Sequence, residues 1–235
     1  MLLYFFKTSK ILYNNYVKIY DVNGRLIKVS FIVLFLLLLV SIVDPAPVGY
    51  LYIMSERMVL LSVDRLYDYT IPIICCSIVI CAFFDDYKNN THELIAFLNY
   101  NKFNYIVFVR WLIYVGIFAV GSFITALIYY RAVSFLDFKN VILSLRFIPN
   151  LIFLTSLILL ITTSTKNIYA AIFLTLSYIM CDYLSSSHLF KIFSLGASTN
   201  NFYYKISPTY YIVNRIMLLI IGILNIYISG KLASK

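Results

Sequence analysis

Long apolar runs separated by short polar ones limit what this chain can fold into more than any single motif does. The run VSFIVLFLLLLVSIV, residues 29–43, carries no charge, and neither does the stretch from Trp111 to Tyr130. A bilayer core about 30 Å thick takes about 20 mostly apolar residues per helix. A chain that is 62% hydrophobic and 12% charged has too little polar surface to cover such helices in water. The pattern predicts an all-α integral membrane protein. Six transmembrane helices are expected within 28–235, at about 28–43, 69–84, 107–130, 147–163, 169–184 and 210–229. The second should begin earlier, near Leu66, because the strict apolar count is short. Between the fourth and fifth, TTSTKN leaves room only for a hairpin turn.

Residues 1–27 read differently. Lys7, Lys10, Asn14, Lys18 and Asp21 recur at spacings of 3, 4, 4 and 3, with Phe5, Leu12, Tyr16 and Ile19 on the opposite side. This describes an amphipathic helix lying in the headgroup layer, its lysines toward anionic lipid. Six spans put both termini on one side of a multi-pass protein. The five bases among the first 28 residues assign that side to the cytoplasm.

Several kinds of chemistry are missing. The 19 Lys and Arg residues, for a net charge of +9, are scattered rather than gathered on a face, so nucleic acid is not an expected partner. Cys75, Cys76, Cys81 and Cys181 lack metal-ligand spacing, and His92 and His188 fall in loops on opposite sides; no metal site is expected. No phosphate-binding loop occurs, since Gly230-Lys231 lacks the earlier glycine and is followed by leucine. No Asp, Glu or Lys falls at the middle of a span, where coupling to an ion would need one. Asp182 and Arg215 sit near the outer ends of the fifth and sixth spans, and Asn225 reads as a hydrogen-bonding residue between helices. The chain is therefore not expected to be an enzyme. Any active transport must draw its energy from another chain.

One polar interruption is patterned: DDYKNNTHELIAFLNYNKFNYIVFVR, Asp85 to Arg110. Asn90 or Thr91 can cap a helix with Glu93 in its first turn; Leu94, Ile95, Phe97 and Leu98 follow, and Asn99 and Asn101 end it. About two turns would not be stable alone in water, so membrane, neighbours or a partner's groove must hold it. Arg110, at the inner end of the third span, is expected to snorkel to lipid phosphates, joining Lys7, Lys10 and Lys18 at the membrane interface.

These residues resemble the type-2 permease family of ATP-binding cassette exporters. Asp85, Asp86, Lys88, Thr91, Glu93, Leu94, Ile95, Leu98, Lys102, Ile106, Val107 and Arg110 stand where that family has acids, a basic-x-x-Thr-x-Glu-Leu pattern, an apolar turn, a base and an aliphatic start to the third span. Asn90 replaces a frequent glycine, and NYNK replaces a Ser-x-Pro pattern. The resemblance implies a half-transporter in a bacterial plasma membrane, paired with a second permease copy or a paralogue and with two ATPase subunits. ATP and Mg would belong to those subunits, and this chain would bind no cofactor. The short helix would be the coupling element, with Glu93, Leu94, Ile95, Phe97 and Leu98 as its buried knob and Asp85, Asp86 and Lys88 as its polar rim. The implied activity is export of an amphiphilic substrate, a peptide toxin or bacteriocin first, for secretion or self-immunity. Lipid, polysaccharide or drug export, and a membrane-embedded sensor or assembly protein without transport, are the alternatives.

Overall fold

The computed structural model describes residues 23–48, 66–88, 103–133, 138–185, 189–198 and 208–233. The expected interfacial helix, with Lys7, Lys10 and Lys18, lies outside them, as does the expected coupling helix with Glu93, Leu94, Ile95, Phe97 and Leu98. Every regular element among the described residues is helical: α1 (Gly24–Val43), α2 (Ile71–Lys88, running on from a π-helical turn Leu66–Thr70), α3 (Phe103–Tyr129), α4 (Phe138–Leu145), α5 (Ile148–Thr165), α6 (Ile168–Leu184) and α7 (Pro208–Ala233). Two 3₁₀ turns, Lys191–Phe193 and Leu195–Ser198, lie between α6 and α7.

Among the described residues, five helical stretches are long and apolar enough to cross a bilayer: Gly24–Val43, Leu66–Phe84, Tyr105–Ala132, Asn140–Thr165 and Ile212–Ala233. α6, expected as the fifth span, is a shorter apolar helix of 17 residues. The second span does begin at Leu66. α3 and α7 run past the expected limits of 107 and 229, to Phe103 and Ala233, because backbone hydrogen bonding continues through polar residues after the apolar count has stopped.

The way each helix divides its residues identifies the surrounding solvent. α1 buries Ser30, Leu34, Leu37 and Ser41, at the i, i+4, i+7, i+11 spacing of one face, and turns Phe31, Ile32, Phe35, Leu36 and Val43 outward. α5 buries Asn150, Thr155, Ser156, Thr162 and Thr163; α6 buries Thr175 and Asp182 while exposing Phe173, Leu176 and Leu184. Polar groups inside and large apolar ones outside invert the soluble rule, as expected where lipid is the solvent. The buried hydroxyls of α1 and α5 are satisfied within their helices, Ser41 Oγ donating to Leu37 O at 2.8 Å and Thr162 Oγ1 to Ile158 O at 2.7 Å, whereas Thr175 Oγ1 of α6 has no hydrogen-bond partner among the described residues.

Contacts fix which helix ends lie together. Ala46 N donates to Tyr129 O at 2.9 Å, and Arg131 donates to Ser41 O and Ile42 O, satisfying carbonyls at the end of α1 that have no partner within the helix. Asn23 N donates to Tyr114 Oη at the start of α1, and Phe84 meets Tyr169 edge-on at 6.1 Å. The beginnings of α1, α3 and α6 thus share one end with the finish of α2; that end is called the proximal end below. Two glycines allow close approach. A Cβ at Gly121 would run into Leu34, joining α3 to α1, and one at Gly222 would stand 2.8 Å from Ile152 Cγ2 and 3.3 Å from the Phe153 backbone, joining α7 to α5. At the α5–α6 hairpin, Lys166 takes the left-handed conformation at φ 53° and Asn167 caps α6, its Oδ1 accepting from Tyr169 N and Ala170 N.

Candidate functional site

At the proximal end, α2 finishes and α3 begins on either side of residues 89–102. Asp85 and Asp86 fall in the last turn of α2, at the negative end of its dipole, where a carboxylate is unfavourable unless a cation is brought to it. Arg110 supplies one. Its Nη1 lies 2.5 Å from Asp86 Oδ2 and also donates to Ala82 O at 3.3 Å, while the guanidinium stands 5.1 Å from the Phe83 ring centroid. Arg110 is only 2% exposed and Asp86 8%. Tyr87 is buried next to them; burial raises the pKa of its phenol, with Asp86 adding to the rise and Arg110 opposing it. Lys88 is exposed, its Nζ 5.2 Å from the Phe84 ring centroid.

Two expectations change here. Arg110 does not snorkel outward: it turns into the bundle, where a buried acid of the neighbouring helix pairs with it. Asp86 is likewise inside rather than on an exposed rim, and of the three rim residues only Lys88 has a described side chain standing in the open.

A second polar cluster occupies the distal end. Arg215 of α7 reaches Asp68 in the π-helical turn at 3.6 Å, donates to Asn150 Oδ1 of α5, and donates to Leu195 O at 3.2 Å. Asn150 Nδ2 donates to the same Leu195 carbonyl at 3.0 Å and to Asp68 O at 3.3 Å. Asp182 Oδ2 accepts from Tyr69 Oη, Leu195 N and Gly196 N at 3.2, 3.0 and 3.3 Å. Asn214 Nδ2 donates to Ile192 O and Ser194 O at 2.6 and 3.0 Å. Asp68, Asn150, Asp182 and Asn214 are fully buried. Side chains from α5, α6 and α7 therefore grip the backbone of 192–196 and hold it across the distal end of the bundle, braced by Asp68 and Tyr69 of the π-helical turn.

The sequence puts Asp182 and Arg215 near the ends of spans but does not show that they meet each other's neighbours or Asp68. The available signal was the pairing of a charge with aromatic neighbours, LYDYT, at the start of an apolar run. Asn225, expected to bond between helices, keeps its Nδ2 without a hydrogen-bond partner among the described residues; only its backbone carbonyl is used, by Ser229 Oγ within α7. No group of three or more His, Cys, Asp or Glu able to hold a metal is found among the described residues. No protein-family model, no curated protein and no solved structure matches the chain.

Proposed function

We propose that this chain is the transmembrane permease subunit of an ATP-binding cassette exporter, moving an amphiphilic substrate, a peptide toxin or bacteriocin first, out of a bacterial cell or its plasma membrane. Both termini would be cytoplasmic. A second permease copy or paralogue completes the pathway, and two ATPase subunits, which hold ATP and Mg, supply the work.

One observation carries most of this reading. α2 and α3, the helices that bracket 89–102, are joined by the buried Asp86–Arg110 pair. A short element that receives force from a partner needs a stiff base, because slack between the two spans would absorb the displacement before it reached the bilayer. A buried ion pair is directional and resists separation, since parting its members leaves two desolvated charges. Closure of the ATPases would move residues 91–98 and the two spans together, tilting them against the other half.

The test is co-purification of the full-length chain with an ATPase subunit from its native membrane, followed by reconstitution. The ATPase is expected to associate and to hydrolyse faster in the presence of this chain, and Glu93→Arg combined with Leu94→Asp should abolish both. Association and transport that survive the double variant refute the coupling assignment. Failure of any ATPase to associate favours instead a sensor or assembly protein, a reading that the tightly held 192–196 segment also suits.

A further inference from the structure

A groove of about 590 Å³ runs between α3 and α7 over α5 at the proximal end, within the roughly 300–1,000 Å³ common for ligand sites. Leu112 and Phe108 form one wall, Ile223 and Tyr227 the other, and all four are at least 41% exposed. Trp111 is the floor, held down by its Nε1 donating to Thr155 Oγ1 at 3.2 Å. At the end nearest the helix terminus stands Lys231, exposed, with its Nζ 4.4 Å from the Tyr227 ring centroid. It is the one charged residue among the described residues of the lining.

We infer that the groove binds an anionic phospholipid from the surrounding leaflet, one acyl chain along Trp111 and the headgroup on Lys231. Three features select this occupant. The walls belong to helices that can cross a bilayer, so lipid has direct access. From Ile223 to Lys231 the helix rises about 12 Å, most of the roughly 15 Å hydrocarbon depth of one leaflet. Lys231, at the end nearest the helix terminus, supplies a cation where an anionic headgroup would lie. A tail-shaped apolar slot closed by one cation fits a single chain with an anionic head.

Trp111 is the only tryptophan of the chain, so its fluorescence reports on the groove floor without further labelling. The full-length protein is reconstituted in phosphatidylcholine vesicles holding a minor fraction of phosphatidylglycerol, with bromine on the acyl chains of one lipid or the other. At equal fractions, brominated phosphatidylglycerol should occupy the groove about fivefold more readily than brominated phosphatidylcholine. That is the equivalent of about 1 kcal/mol for one lysine near an anionic surface. Lys231→Gln should remove the preference, and Lys231→Arg should keep it. Equal quenching by the two lipids in the native chain would mean contact with bulk lipid only. Absence of quenching by either would mean that the groove is closed or filled by protein. A preference unchanged in Lys231→Gln would assign the headgroup elsewhere. Each of these three results overturns the inference.

Discussion

Cutting the Asp86–Arg110 link tests the stem most directly. At the observed 2.5 Å and an effective dielectric near 20, the gross attraction is about 6–7 kcal/mol. Removing two charges from water costs several kcal/mol per ion, so the pair as a whole contributes little net stability. The consequence is asymmetric. Arg110→Met leaves Asp86 buried without its cation at the unfavourable end of a helix dipole, and Asp86→Leu leaves Arg110 buried among Phe83 and Ala82. Each single change should cost about 3–5 kcal/mol. At roughly 2–4 °C per kcal/mol for a chain of this size, that lowers Tm by roughly 6–20 °C. The double variant, with both charges gone, should return to within about 1 kcal/mol of the native chain. Thermal unfolding in detergent, followed through the adjacent Trp111, gives all three values. A double variant as unstable as the two singles added would show that the side chains do not interact. An Arg110→Met cost below about 1 kcal/mol would return the arginine to the lipid surface.

Two further changes probe the packing and the distal cluster. Gly222→Leu should drive α7 away from Ile152 and the Phe153 backbone and destabilise the bundle by about 1–3 kcal/mol; an unchanged Tm would mean that the helices are not in contact there. Arg215→Gln leaves Asp68 buried without its cation and should cost about 3–5 kcal/mol, and it should also speed proteolysis within 192–196, whose backbone the cluster holds. A destabilised but equally protected loop would separate the two effects and limit Arg215 to pairing with Asp68.

The course of the helices was legible because lipid demands it. Apolar length located α1 and α3, and the polar TTSTKN run marked the α5–α6 turn, although Thr162 to Thr165 stay helical and only Lys166 and Asn167 do what a C-terminal stop and an N-cap require. The pairing of charges was not legible. Asp86 and Arg110 are 24 positions apart, and each alone has an ordinary explanation at a membrane surface. Arg215, Asn150 and Asp182 become a cluster only when 192–196 folds back between them, and nothing local in the sequence announces that return. Gly121 and Gly222 were the missed clue: small residues inside leucine-rich spans commonly mark where two backbones touch.

The arrangement of α1 bears on how the chain is made. Its tertiary partners arrive late: Tyr114 is 91 positions beyond Asn23, and Arg131 is 90 beyond Ser41. During synthesis α1 must enter the bilayer and wait there for α3, with only Tyr67 and α2 arriving sooner. It is equipped to wait. Phe31, Phe35 and Leu36 already face lipid, and Ser30 and Ser41 are satisfied by Leu26 O and Leu37 O of the same helix, so no polar group is stranded in hydrocarbon. Docking then adds Leu34 against Gly121, Ser41 to Tyr67 Oη at 2.9 Å, and the Arg131 clamp on its last carbonyls. A helix that is complete before its neighbours exist can sit in the bilayer while the rest of the bundle is made.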